Sequence, residues 1–165
     1  MSDCPDIRVE PADAVRYPSL LQLQVLEPQR DFVGPIAVSL ADAAQCPGSE
    51  AMAILCDGEP IGFYRIEQQA RSIADRDFAR PTLGLRSFFI DARWQGRGLG
   101  ALALAAVMND LKQRHPAARD VVLTVNLRNT PALALYRRAG FKESGELYHG
   151  GRSGPQHVML GALPT

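Results

Sequence analysis

Three glycines at alternate positions, Gly96, Gly98 and Gly100, stand at the start of the chain's clearest amphipathic helix. Glycine has no Cβ, so a ligand can approach the main chain closely there. The first turn of a helix leaves about four N–H groups without intrahelical partners. Those donors and the positive end of the helix dipole favour a phosphate. The segment Gln95-Gly96-Arg97-Gly98-Leu99-Gly100-Ala101 is therefore read as a cradle for a pyrophosphate or similar dianion, with Arg97 and Arg93 as further positive charge. The alternative is that the glycines serve only a tight turn and close helix–sheet packing. Two familiar phosphate loops do not fit. A Walker loop needs Lys and Ser or Thr after its last glycine, where this chain has Ala101 and Leu102. The dinucleotide fingerprint needs G-x-G-x-x-G directly after its strand and an acid after the following strand. Here the spacing is G-x-G-x-G, and Asp120 precedes the following predicted strand.

A second cluster lies downstream, Asn129-Thr130-Pro131-Ala132-Leu133-Ala134-Leu135-Tyr136-Arg137-Arg138-Ala139-Gly140-Phe141. Asn129 is a residue type that caps helices well. Tyr136 sits at helical spacing from Leu133 and Ala132, as a core residue would. Arg137 and Arg138 fit a solvated helix face. The two clusters together resemble the GNAT superfamily of acyl-CoA-dependent N-acetyltransferases. Its patterns, Q/R-x-x-G-x-G/A and N-x-x-A-x-x-L-Y-x-x-x-G-F, are both met by this chain.

The resemblance implies acetyl-CoA as cosubstrate and assigns roles by position. Backbone groups of Phe88, Phe89 and Ile90 would line the pantetheine arm and the acetyl group. The amides of Gln95 through Ala101 would hold the CoA pyrophosphate. The Asn129 side chain would bond the pantetheine, and Arg137 or Arg138 could reach the 3′-phosphate. Tyr136 would sit near the thioester sulfur as general acid. The implied fold is mixed α/β, a central and mostly antiparallel sheet of six to seven strands flanked by about four helices. A single acetyltransferase domain over residues 1–165 is expected. Homodimers also occur in such families.

The first half is similar to the bacterial spermine/spermidine (diamine) acetyltransferase branch. The similarity runs through Leu23, Val25, Gln29, Phe32-Val33, Pro35, Ser39-Leu40-Ala41 and Ala43, then Pro60-Ile61-Gly62-Phe63. It returns at Glu143-Ser144-Gly145-Glu146 and Gly150, and departs from that branch at Ile36 and Val38. A polyamine needs carboxylates around its cationic groups. Glu27 and Asp31 are the first candidates, with Asp42 and Glu67 behind them; each also fits an ordinary surface acid.

The expected reaction is direct transfer of acetyl to a primary amine. A free alkyl amine has a pKa near ~10.4 by analogy with lysine, so it must lose a proton to react. In one group of relatives a Glu stands five residues before the motif Asn. That position is Thr124 here, which leaves Asp91, Glu67 or a water chain as base. A phenol at about 10 donating to a thiolate at about 8.5 is uphill by about 2 kcal/mol. A hydrogen bond from Tyr136 to the developing thiolate is enough to help, because that charge appears only in the transition state. Cys56 is next to Asp57, a poor setting for a thiolate nucleophile.

The elements that must position these groups follow from pattern and composition. The chain has 165 residues, 46% apolar and 22% charged, with 18 basic against 18 acidic side chains. That fits one soluble globular core and gives no global field toward nucleic acid or an anionic membrane. No apolar run reaches the ~18 residues of a membrane span. The three cysteines form no CxxC pair and the three histidines have no ligand spacing, so no metal is implied. The polar, acidic start lacks a signal-peptide pattern, and a cytoplasmic location is expected.

Strands are predicted at Ile7–Glu10, Ala51–Cys56, Ile61–Gln68, Thr82–Ile90, Val121–Val125, Lys142–Tyr148 and Gln156–Leu160. Asp57-Gly58 signals a hairpin between the second and third. One helix is predicted from Ala12 or Asp13 to Pro28, carrying Val15, Leu20, Leu21, Leu23 and Val25. A second is predicted near Ser39–Gln45. A third comes with the segment Gly96-Arg97-Gly98-Leu99-Gly100 at its start, with a stripe of Leu99, Leu102, Ala103, Ala106, Val107 and Leu111. A fourth has Thr130 as cap, Pro131 at its first position and Gly140 as its stop. Residues 70–81 read as a loop. Besides a small-molecule N-acetyltransferase, two further readings stay open: acetylation of a protein or peptide amine, and a non-catalytic acyl-CoA-binding module.

Overall fold

A computed structural model describes residues 5–151 and 153–165. Among the described residues, seven strands form one sheet: β1 (Ile7–Pro11), β2 (Ser49–Cys56), β3 (Glu59–Glu67), β4 (Thr82–Ile90), β5 (Asp120–Asn126), β6 (Lys142–Tyr148) and β7 (Gln156–Ala162). Five α-helical segments accompany them: α1 (Tyr17–Leu20), α2 (Ile36–Gln45), α3 (Arg71–Ala74), α4 (Leu99–Arg114) and α5 (Thr130–Arg138). The spatial order of the sheet is β1-β2-β3-β4-β5-β7-β6. This is the mixed, mostly antiparallel architecture expected. The hairpin signal also holds: Asp57 and Gly58 both take positive φ, 49° and 85°, as a type I′ turn requires.

Among the described residues, only β4 and β5 pair in parallel, and only over Thr82–Gly84 against Asp120–Val122. Beyond those three pairs the strands part and leave a wedge in the sheet. β4 is also bulged. Phe63 faces Phe89 and Arg65 faces Arg86, so β4 carries one residue more than β3 between those pairs. Ser87 lies in this stretch with φ of 58°, a left-handed conformation that non-glycine residues seldom take. Gly62 allows β3 to lie close to β4 here, since a Cβ on it would stand 2.5 Å from the Phe89 carbonyl oxygen.

Alternate residues of the strands feed two opposed cores. Met52, Ile54 and Cys56 pack with Leu99, Ala103, Leu104, Val107 and Leu111 of α4. Ala53, Leu55, Phe63 and Phe89 pack on the other face with Leu20, Leu23 and Leu40.

Several predicted helices differ in detail. The first is one short turn, and Val15 and Leu21 are 88% and 49% exposed. The backbone of Gln24, expected inside that helix, is instead engaged by residue 91 and its neighbour: its N–H donates to Asp91 Oδ1 at 2.8 Å, and its carbonyl accepts from Ala92 N at 2.6 Å. Tertiary pairing outbids the helical pattern. α2 begins at Ile36, directly after Pro35. The stretch read as a loop contains α3. In α4 the buried place belongs to Leu104, while Leu102 is 40% exposed. In α5 the cap position is Asn129, with Thr130 first and Pro131 second, one residue earlier than predicted.

Candidate active site

The glycine segment leaves β4 through a short 3-10 turn, Ala92–Trp94. Asp91 caps that turn and is 1% exposed; its carboxylate accepts from Arg93 N at 3.3 Å, Arg93 Nε at 2.8 Å and Gln24 N at 2.8 Å. Asp91, one of the bases considered from sequence, is thus held by the loop and by Gln24 and lines neither of the cavities described below. The Gln95 carboxamide donates to the Ile90 carbonyl at 2.8 Å and to Gln29 Oε1 at 2.9 Å. Its side chain braces the loop, which leaves only its backbone for a ligand. Arg97 lies with its guanidinium 5.0 Å from the Trp94 ring centre, and Arg93 is paired with Asp91.

Gly96 and Gly98 have φ of 78° and 75°, and a Cβ on either would meet nothing within 4 Å. The turn explains these two glycines. Gly100 is different: a Cβ there would make an ordinary 3.6 Å contact with Leu135, so close packing does not demand glycine. Gly98 occupies the N-cap of α4 without a side chain, and the first turn of α4 holds no acid. Lys112 and Arg114 stand in the last turn. Leu99, Gly100 and Ala101 therefore begin the helix with N–H groups available to an anion. This arrangement suits a diphosphate on main-chain donors.

From this loop a cavity of about 210 Å³ runs past Phe88, Phe89 and Ile90 to Asn129 and Tyr136. A second cavity of about 510 Å³ continues from Phe88, Asn129 and Tyr136 toward Asp31, Asp42 and Tyr148. Both lie where β4 and β5 part. They share Val33, Phe88, Asn129, Ala132 and Tyr136. Asn129 makes no capping bond with its side chain, so the capping reading does not account for it. Tyr136 is 7% exposed and its ring lies between Phe88 at 6.3 Å and Phe141 at 5.7 Å. Burial pushes its phenol well above the ordinary value, which keeps it protonated.

The four acids nominated from sequence separate. Asp31 and Asp42 line the larger cavity. Glu27 sits on the 3-10 turn Glu27–Gln29 and borders neither cavity. Glu67 is 5% exposed, accepts from Ser49 Oγ at 3.0 Å and pairs with Arg65 at 3.1 Å and Arg86 at 3.6 Å. It belongs to an ion network centred on the buried Arg65 and lines neither cavity. Asp42 is part of the same network: Arg65 Nη1 donates to it at 2.9 Å and holds its carboxyl below the usual range. Asp31 is left as the acid of the larger cavity outside that network. Thr124 lines the cavity where a base could have stood. Burial, then Asp57, raises the Cys56 thiol, in keeping with no nucleophilic role. Arg137 is committed to Glu143, Nε to Oε1 at 3.0 Å, while Arg138 lies exposed.

Sequence reasoning missed Asn126 and Ser153. Asn126 is 5% exposed; its Nδ2 donates to the Ser153 carbonyl at 2.8 Å and its Oδ1 accepts from Arg128 N at 2.9 Å. The available signal was a carboxamide ending the apolar run Val121–Val125.

The family described as "Acetyltransferase (GNAT) family" matches residues 19–141. The chain belongs to the GNAT family. It is accordingly an N-acetyltransferase with acetyl-CoA as cosubstrate. The GNAT chain is 31% identical over 131 residues to the spermine/spermidine N(1)-acetyltransferase of Bacillus subtilis, spanning 78% of this chain and 83% of the relative. It is 28% identical over 145 residues to the aminoglycoside N(6')-acetyltransferase type 1 of Stenotrophomonas maltophilia, covering 87% and 90% of the two chains. In fold it is similar to the spermidine N-acetyltransferase of Vibrio cholerae, crystallised with CoA and spermine. The TM-score is 0.70 at 14% identity, with 95% of each chain covered. Among the described residues, no helix of this GNAT protein is long and apolar enough to cross a membrane. Among them too, no group of three or more His, Cys, Asp or Glu side chains could hold a metal ion.

Proposed function

We propose that this GNAT chain acetylates a primary amine of a small molecule by direct transfer, with polyamines such as spermidine and spermine as the first acceptor class. One observation carries the reading: a helix-terminus anion cradle and an acceptor cavity open onto the same residues, Phe88, Asn129 and Tyr136 among them. In this reading the cosubstrate supplies acetyl as a thioester. The amides from Gln95 to Ala101 grip the diphosphate. Main-chain groups of Phe88, Phe89 and Ile90 hold the arm and the acetyl carbonyl, and Asn129 orients the arm. The amine forms its bond to the carbonyl carbon as the carbon–sulfur bond breaks. Tyr136, kept protonated by burial, donates a hydrogen bond to the sulfur as it gains charge.

Asp91 and Glu67 are committed elsewhere, so the amine proton leaves through water along the cavity past Thr124. Asp31 takes a second ammonium of the acceptor. The likeness to the spermine/spermidine N(1)-acetyltransferase of Bacillus subtilis supports the polyamine class. Purified protein is mixed with acetyl-CoA and a panel of primary amines, and free thiol is followed. Turnover on spermidine or a related amine is expected. Binding of acetyl-CoA with no turnover on any amine overturns this reading in favour of a non-catalytic module.

A further inference from the structure

Two arginines border the acceptor cavity, and they stand opposite each other on the β3–β4 ladder, Arg65 facing Arg86. Arg65 is 2% exposed and fully engaged. It donates to Asp42 at 2.9 Å and to Ser49 Oγ at 2.9 and 3.3 Å, and pairs with Glu67 at 3.1 Å. Arg86 is held far more loosely. Its side chain is 42% exposed, and the carboxylate it meets among the described residues is Glu67, at 3.6 Å. That same Glu67 oxygen already accepts from Ser49 and meets Arg65. Like charges directly opposite on neighbouring strands cost stability, so Arg86 adds little to the hold of β3 on β4.

The bulge in β4 sets where Arg86 lies. A regular strand sends alternate residues to opposite faces, yet Leu85, Arg86, Ser87 and Phe88 all border this cavity. The extra residue and the left-handed Ser87 break the alternation there. The charges of the cavity also balance. Among the described residues, Asp31 and Asp42 border it on the negative side, Arg65 and Arg86 on the positive. A cavity for polycations alone calls for an excess of carboxylates. Here one guanidinium is left with donors to spare; its planar fork matches a carboxylate, and its single charge matches a monoanion.

We infer that Arg86 is a carboxylate subsite of the acceptor cavity, and that amino carboxylic acids are a second acceptor class beside polyamines. The inference rests on the proposed acetylation of small amines and adds to it. The acceptor's amine reaches Phe88 and Tyr136 while its carboxylate docks on Arg86. The transfer itself is unchanged: the nitrogen gains acetyl and gives up a proton, the carbon–sulfur bond breaks, and the sulfur leaves as the CoA thiol.

The test uses ω-amino carboxylic acids of three to six carbons, each against the alkylamine that carries a methyl group in place of the carboxylate. For the pair of best-fitting length, kcat/KM for the acid is expected to exceed that for the alkylamine about tenfold, the worth of one charge-assisted hydrogen bond, through a lower KM. Arg86→Gln is expected to bring this ratio to about one. Arg86→Lys, which keeps the charge and loses the fork, gives a ratio between the two. The melting temperature of Arg86→Gln should hold, because a half-exposed pair at 3.6 Å contributes little. A wild-type ratio of one or less at every length overturns the subsite. So does a ratio that Arg86→Gln leaves unchanged, including an equal fall for acid and alkylamine. Should the wild type turn over no amine, the proposed function fails by itself. The subsite is then judged by calorimetry of the same acids on the CoA-loaded protein. Binding that Arg86→Gln abolishes supports it; no binding, or binding that survives the substitution, overturns it.

Discussion

Gln29 and Gln95 hold each other through both ends of their carboxamides, Gln95 Nε2 to Gln29 Oε1 at 2.9 Å and Gln29 Nε2 to Gln95 Oε1 at 3.2 Å. Gln29 Oε1 also accepts from Leu26 N at 3.1 Å. The diphosphate loop is thereby fastened to the segment before α2. The resemblance gives Gln95 a ligand role through its main-chain amide, and its side chain is structural here.

Removing that brace loosens the donors without touching them. Gln95→Ala is expected to raise the KM for acetyl-CoA about tenfold, the loss of one or two net hydrogen bonds. Its kcat at saturating cosubstrate should stay within about twofold, since no group at the sulfur changes. Steady-state kinetics with varied acetyl-CoA decides this. A fall in kcat with constant KM would place Gln95 in the chemistry.

Tyr136→Phe keeps the ring between Phe88 and Phe141 and removes only the hydroxyl. Its kcat is expected to drop about 10²-fold, the scale of one lost donor to developing charge, with little change in the KM for acetyl-CoA. The melting temperature should hold. An unchanged kcat takes Tyr136 out of the mechanism.

The pH profile follows from the buried phenol. Burial raises the Tyr136 pKa above its ordinary value, so the donor form persists at and beyond pH ~10. With an amine of pKa about 10.4, kcat/KM should climb with pH as the reactive neutral amine accumulates. No descending limb is expected below pH ~10. A descending limb near neutrality that disappears in Tyr136→Phe would show the phenol titrating far lower than its burial allows.

Two glycine substitutions separate turn geometry from ligand approach. Gly98→Ala forces a side chain into a φ of 75° and should lower stability by about 1 kcal/mol. Gly100→Ala lies in helical backbone and touches Leu135 without crowding. It should raise stability by about 0.5–1 kcal/mol. Both should weaken acetyl-CoA binding in calorimetry, because a methyl group enters the anion's path. Undiminished affinity in Gly100→Ala means the diphosphate never comes near that residue.

Much of the site was legible because it is local. The glycine segment and the Asn129–Tyr136 helix each carry their spacing in a dozen residues, and both land at the wedge. The hairpin at Asp57-Gly58 is local for the same reason. The bond from Gln24 N to Asp91 was not legible, because the two residues lie 67 positions apart. Glu67 likewise answers to Arg65, which pairs also with Asp42, 23 residues away on α2. Leu104 replaced Leu102 because the buried arc of α4, Leu99, Ala103, Leu104, Val107 and Leu111, is rotated about the helix axis away from Leu102 and toward Leu104. The shortened α1 yields to a pairing with Asp91 and Ala92 that no window around Tyr17 contains.

The sheet is hydrogen-bonded across its middle by just Thr82–Gly84 against Asp120–Val122 among the described residues, so its two halves pair along a narrow seam. A guest lodged in the gap touches β4 on one side and α5 on the other and acts as a second rivet. Mass action then couples occupancy to cohesion: at about a hundredfold excess over Kd, a ligand specific for the folded chain adds about 2.7 kcal/mol against unfolding. Saturation with CoA should therefore make the two halves melt later and together.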